Sequence, residues 1–418
     1  NSRFDQSLAG LSIASMTTGI NLVNEISPYN YGATLMDWSD QITKQNGVSV
    51  GFGTSKYPPT AMDARTDLET NNNWTIVDGG IASLEFVFDV DTTLGGVSDS
   101  GNLEYTLPLI SSESYDFTYS DSDGNTDSYT GLGSALSSLR TFTTSGTKTI
   151  TLTPNQNTVT SSTCGLGRMR FGNYGATTVI DGNKLTLIKS FGGFSGASGC
   201  FSDCENMDID SEAGYPYYRF ESPQSMFKNC SNVNLLNIEL FRWTFDDSDW
   251  SYAFDGTDSD IDFSGINTTA TSARYILDTN ESFTNTKGQV GDLIDSSTIN
   301  LGSAFYNQVL ANASVTGPVI CKSTESVTDF RRCFRGQTGL KQSFTTENGW
   351  DFRNATWGNY FHSYGDMNET GTTKNYDDTI KSIYDTHLIH GLQSGVTWEF
   401  GSAKFGINSF KKRRIIKR

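Results

Sequence analysis

One landmark constrains this chain more than any other: a phenylalanine that returns at Phe201, Phe227, Phe254, Phe283, Phe305, Phe334 and Phe361. The intervals are 26, 27, 29, 22, 29 and 27 residues, about 27 on average. Each phenylalanine closes a short triad, as in Gly199-Cys200-Phe201, Ser225-Met226-Phe227, Glu281-Ser282-Phe283 and Arg332-Cys333-Phe334. A unit of this length cannot bury its own ring; only neighbours stacked on either side complete the cover. The spacing therefore predicts a ladder of buried phenylalanines through the second half of the chain.

A second apolar residue follows six positions later in four copies, at Met207, Val233, Leu340 and Met367. It slips by one to Ile261 and Val290, and after Phe305 the candidates are Leu310 and Val315. Alternation at Met207-Asp208-Ile209-Asp210 and Ile261-Asp262-Phe263 reads as short strands with one buried face. Asp208, Asp210 and Asp262 then point outward, as solvated surface or as ligand contacts. Of six cysteines, Cys164, Cys200, Cys204, Cys230, Cys321 and Cys333, no pair has zinc-finger spacing, and they read as buried thiols.

Residues 77–162 have a different texture. Leu84 to Val90, Tyr115 to Tyr119 and Lys148 to Leu152 alternate with period two between turns rich in Gly and Ser, the pattern of an all-β sandwich. Asp123-Gly124-Asn125 supplies a hairpin turn. Asp121, Asp123, Asn125 and Asp127 have the oxygen spacing of a calcium loop without the twelfth-position glutamate of an EF-hand. The same stretch also reads as a plain acidic turn.

A third element occurs twice. Gly47-Val48-Ser49-Val50-Gly51-Phe52-Gly53 returns 348 residues later as Gly395-Val396-Thr397-Trp398-Glu399-Phe400-Gly401. Upstream, Tyr31 to Trp38 corresponds loosely to Tyr376 to Ile380. A helix and strand of this kind would shield the last repeat of an array from solvent.

The repeats resemble the BspA-like leucine-rich repeats, most closely at Ser225-Met226-Phe227-Lys228-Asn229-Cys230-Ser231-Asn232-Val233. Most copies lack the cysteine of that signature, and the spacing drifts. Asp116 to Gly124 and Ser145 to Ile150 resemble the PKD-like sandwich modules that precede such arrays, with Asp121 in place of the usual Trp. The duplicated element, complete from Tyr31 through Gly80, resembles the segment that closes them. The implied fold is mainly β: a leucine-rich-repeat solenoid with an immunoglobulin- or PKD-like β-sandwich and small α/β caps. The implied division is 1–30, the end of a first solenoid; 31–76, its cap; 77–162, the sandwich; 163–372, a second solenoid; and 373–418, an incomplete second cap. The chain opens at Asn1 with neither Met nor signal peptide, which reads as a processed or partial product.

Charge and motifs narrow the function. A formal charge of −17, from 30 Lys and Arg against 47 Asp and Glu, repels phosphate backbones and argues against nucleic acid. No apolar run approaches the roughly 20 residues that span a bilayer. His387 and His390 stand three apart on a predicted helix, and His362 stands alone. No G-x-S-x-G, P-loop or H-E-x-x-H pattern occurs, so no catalytic residues are assigned. The Lys411-Lys412-Arg413-Arg414 run reads as a solvated cap face or a grip on an acidic neighbour.

The resemblances imply a non-enzymatic fibre or decoration protein on the virion surface of a tailed phage. Such a protein would form a homo-oligomer, contact other virion or surface proteins, and meet a host-surface receptor or glycan. A bacterial cell-surface adhesin is the alternative, and an accessory module of a secreted polysaccharide-degrading enzyme a weaker one. No cofactor is expected beyond the calcium of the 121–127 loop.

Overall fold

The computed structural model is mainly β, with three α-helices and twelve short strands among the described residues. It describes residues 7–16, 20–21, 26–96, 102–136, 138–155, 166–172, 181–237, 240, 243, 245–257, 261, 270–278, 293–306, 320–335, 342–356, 361, 374–390 and 398.

Near the N-terminus, α1 (Pro28–Asp40) starts with Ser27 accepting from the Asn30 N–H and with proline at its first position, where no donor is lost. Tyr31, Leu35 and Trp38 share the buried face of α1, where Tyr31 and Trp38 pack on Phe52 and Trp38 also on Trp74. β1 (Ser49–Gly51) and β2 (Thr75–Val77) pair in parallel, Ser49 opposite Thr75, and a parallel pair needs a crossover. Helix α2 (Met62–Asn71) provides it, burying Leu68.

The next strands are β3 (Phe86–Asp91), β4 (Glu104–Thr106), β5 (Ser114–Asp121), β6 (Thr126–Leu132), β7 (Leu139–Thr141) and β8 (Thr147–Pro154). They are followed by β9 (Arg168–Met169), β10 (Leu185–Ser190), β11 (Ser195–Gly196) and β12 (Asp208–Ile209). Six of them form one sheet in the order β12-β10-β3-β8-β5-β6. Period-two alternation buries Tyr115, Phe117 and Tyr119 from β5 and Ile150 and Leu152 from β8. The antiparallel pair β4–β7 sets Tyr105 against Phe88, with ring centroids 6.2 Å apart. The expected division at 162/163 does not interrupt this sheet, because β10 bonds along β3 with Ile188 opposite Phe88. Phe86 stacks on Phe194 at 4.4 Å and Phe171 on Phe201 at 5.7 Å, so one hydrophobic core runs from Leu84 to Ile383.

From Gly199 onward, order comes mainly from hydrogen bonds between successive segments rather than from long strands. The Phe201 N–H donates to Met226 O, Phe227 to Ala253 O, Phe254 to Ile276 O, Leu277 to Ala304 O and Phe305 to Cys333 O, all within 2.9–3.1 Å. A parallel column joins the residues two places earlier: Gly199 to Gln224, Ser225 to Ser251, Tyr252 to Arg274, Tyr275 to Gly302 and Ser303 to Arg331. The two columns fix the register at every step. Rings stack at Phe201–Phe227 (5.6 Å), Phe227–Phe254 (6.0 Å) and Phe305–Phe334 (4.9 Å).

This register corrects one expectation. The rung between Phe254 and Phe305 is Leu277, preceded by Ile276 and Tyr275; Phe283 lies outside the described residues. Phe361 also departs from the rule. Phe334 donates to Phe361 O itself instead of to the residue before it, and the Phe361 ring meets Phe334 edge-on at 82°. That one-residue slip ends the stacked series. Of the second apolar positions, Met207, Val233 and Ile261 are buried, while Val290, Leu310, Val315, Leu340 and Met367 lie outside the described residues.

Helix α3 (Lys374–His390) packs Tyr376, Ile380 and Ile383 into the core. Trp398 lies against Phe352 at 4.9 Å and Phe361 at 5.6 Å. Gly349, at φ +79°, rests on the Cys321 carbonyl, where an added Cβ would come within 1.9 Å. Only glycine permits that approach between segments.

Candidate functional site

The calcium expectation meets a different chemistry. Gly124 takes φ +86° and closes the turn after β5. Asp121 Oδ1 accepts from the backbone N–H groups of Asp123 (2.9 Å) and Asn125 (3.1 Å), and Oδ2 accepts from Tyr119 Oη (2.7 Å) and the Asn125 amide (2.9 Å). Asp123 turns away to accept from buried Lys148 Nζ at 2.6 Å and from Thr143 N and Oγ1. The Lys148 bond, then the two from Thr143, pull the Asp123 carboxyl down to about 2. Asp127 pairs with Arg140 Nη1 at 3.0 Å, and that guanidinium also sits over the Tyr119 and Tyr129 rings. The carboxylates of Asp121, Asp123 and Asp127 thus answer donors of the protein, and Asn125 turns its amide N–H groups toward Asp121. The loop is an acidic turn pinned to its neighbours.

Other singled-out residues resolve similarly. Asp208 Oδ1 accepts from its neighbour's N–H at Ile209 and from Asn234 N (2.8 Å) in the next segment, and Asp210 caps Glu212 N. These carboxylates cap backbone donors instead of forming an open acidic face; Asp262 lies outside the described residues. Cys200, Cys204, Cys230, Cys321 and Cys333 are buried, and burial pushes the thiols of Cys200, Cys204, Cys230 and Cys333 up, away from thiolate. Cys230 Sγ donates to Phe201 O at 2.9 Å, across the phenylalanine ladder. His387 and His390 fall on α3; Cys164, His362 and residues 411–414 lie outside the described residues. Among the described residues, no group of three or more His, Cys, Asp or Glu is placed to hold a metal.

The duplicated element is joined to the chain by the same bonds at both ends. Thr34 Oγ1, on α1, accepts from Leu8 N (2.9 Å) and donates to Asn30 O (2.8 Å). Thr379 Oγ1, on α3, accepts from Phe344 N (2.9 Å) and donates to Asn375 O (2.8 Å). One helical turn on, Asp37 accepts from Gly10 N and Ser382 from Thr346 N. Each helix thus offers two side-chain acceptors, three residues apart, to alternate N–H groups of the segment packed against it. Within the helices the offset is 345 residues, against 348 in the following strand, so the second copy is three residues longer between them.

The corrected register exposes a face that the phenylalanine spacing missed. Ser225, Tyr252, Tyr275, Ser303 and Arg332 each stand two residues before a rung, and all have φ between 53° and 61°. Their counterpart in the first segment is Gly199 at 64°. The Tyr252 and Tyr275 rings stack at 4.7 Å and 13°. Lys228 Nζ lies 4.6 Å from the Tyr252 centroid and the Arg274 guanidinium 4.8 Å from that of Tyr275. Beside them Arg274, Tyr275, Gly302, Ser303, Asp329, Arg331 and Arg332 line a cleft of about 270 Å³. Anchoring the fourth segment on Phe283 hid this column. The signal in the sequence was the aligned pair of triads Tyr252-Ala253-Phe254 and Tyr275-Ile276-Leu277.

No family model, curated protein or solved structure matches this chain. No helix among the described residues is long and apolar enough to cross a membrane.

Proposed function

We propose that the chain is a modular part of a non-enzymatic attachment protein, a fibre or decoration component on the virion of a tailed phage. The observation that supports this reading is the recurrence of one helix-docking arrangement, with Thr34 and Thr379 in the same role, on either side of a segment register repeated step after step. In this reading the stacked segments from Gly199 onward form a BspA-like leucine-rich-repeat solenoid, and β3–β8, in a sheet that β10 and β12 extend, form a PKD-like β-sandwich. The helices α1 and α3 belong to caps that cover solenoid ends. Stacked units of this kind offer an extended lateral face, and caps permit such modules to follow one another in tandem. Homo-oligomeric association and contact with other virion proteins or a host-surface receptor or glycan follow from that role.

Peptide mass spectrometry on density-purified particles, and separately on washed cell envelopes from the producing culture, tests the proposal. Recovery at stoichiometric abundance from particles is the expected result. Recovery confined to envelopes overturns the virion assignment and leaves a cell-surface adhesin in its place.

A further inference from the structure

We propose that the cleft lined by Arg274, Tyr275, Ser303, Asp329, Arg331 and Arg332 binds a single acidic sugar unit of a glycan; this rests on reading the chain as an attachment module. The first argument is charge. The chain carries a formal charge of −17, yet this cleft holds three guanidinium groups and one carboxylate. Arg331 closes a two-pronged bond on Asp329, Nε to Oδ1 at 3.0 Å and Nη2 to Oδ2 at 2.7 Å. Arg274 and Arg332 are both exposed, and neither has a carboxylate partner among the described residues. A planar fork of N–H donors suits a carboxylate or sulfate better than a point charge would.

Backbone conformation is the second argument. Tyr275, Ser303 and Arg332 occupy the left-handed region, where large side chains are disfavoured and where the first segment uses Gly199. The same conformation recurs at Ser225 and Tyr252, so the segment register itself imposes it and sets Tyr275, Ser303 and Arg332 in line on neighbouring segments. It projects these side chains from one edge of the ladder.

Size and preorganisation select the ligand. A volume of about 270 Å³ is below that of pockets for drug-sized molecules and suits one sugar ring. Stacking of Tyr252 on Tyr275, with Lys228 and Arg274 over the rings, fixes the wall before any ligand arrives. Ser303 and Asp329 supply polar groups for sugar hydroxyls, and Tyr275 gives an apolar edge for the ring carbons. A long polyanion would meet the negative field of the remaining chain, whereas one acidic unit meets only the local positive one.

Titration calorimetry on the full chain tests this with three probes: a glucuronic-acid-terminated disaccharide, a sulfated counterpart and an uncharged glucose-terminated one. At least one acidic probe should bind about tenfold or more tighter than the neutral one, and weaken as salt rises from ~50 mM to ~500 mM. Whichever acidic probe binds identifies the anion as carboxylate or sulfate. Arg332→Gln and Arg274→Gln should each weaken binding about fivefold or more with thermal unfolding unchanged, and Arg332→Lys, which keeps charge but loses the fork, should fall between. Equal binding of neutral and acidic probes, no binding at millimolar concentration, or full affinity in the glutamine variants overturns the site. Recovery of the chain from purified particles together with absent acidic-sugar binding would leave the attachment reading standing and remove this site alone.

Discussion

Replacing Phe227 by alanine probes the stacked ladder at its best-defined rung. The ring is fully buried, parallel to Phe201 and Phe254 at 5.6 Å and 6.0 Å, and 5.9 Å from Trp243. Returning a buried phenylalanine's apolar surface to water costs about 2 kcal/mol. Flanking rings held by the cross-segment bonds can close in only partly, and a residual cavity of about 80 Å³ at ~24 cal/mol per Å³ adds about 2 kcal/mol. Lost ring–ring geometry contributes on the order of 0.5–1 kcal/mol more, partly overlapping the area term. The expected loss is therefore about 4 kcal/mol, read from urea titrations followed by circular dichroism and tryptophan fluorescence. Phe227→Leu is the control, because the ladder already uses leucine at Leu277; it should cost about 1 kcal/mol. An alanine variant less than about 1 kcal/mol below the parent would refute the claim that stacked rungs hold the segments together.

Two further outcomes follow from particular bonds. The Asp123 carboxyl titrates at about 2 in the fold and near 3.9 when unfolded, so its contribution is complete above about pH 4 and lost as pH falls toward 2. Thermal unfolding from about pH 5 to pH 2 should show a shallower acid decline in Asp123→Asn than in the parent, and identical slopes would contradict the Lys148 pairing. Thr379→Val keeps the shape of the side chain but strands the buried Phe344 N–H, and should cost about 1–2 kcal/mol with faster amide exchange at Phe344. Unchanged exchange at Phe344 would show that α3 does not depend on this bond.

Much of the β-rich character was legible in the sequence. Period-two alternation at Tyr115, Phe117 and Tyr119 maps onto the buried face of β5, and Gly124 sits at the left-handed turn expected of it. The recurring phenylalanines pointed to buried rings, and those at 201, 227, 254, 305, 334 and 361 are buried. The helix of the duplicated element was visible only as a loose match, because the bonds that repeat are made by Thr34 and Thr379 to segments outside the match. The acidic loop was misleading for a related reason. Asp123 looks free in sequence, but its partner Lys148 is 25 residues away and arrives on β8.

The sequence by itself determined the period of about 27, the need for neighbours to cover each ring, and the mainly β character, since these follow from hydrophobic pattern and local turn chemistry. Only the tertiary structure decided that Leu277 serves as the fourth rung, that β10 carries the sheet past residue 162, and that Tyr252, Tyr275 and Arg332 share one edge. A hydrophobic pattern is satisfied by any apolar residue near the right spacing. Register is set by backbone hydrogen bonds between segments some 22 to 29 residues apart, and a linear pattern does not specify which carbonyl meets which N–H.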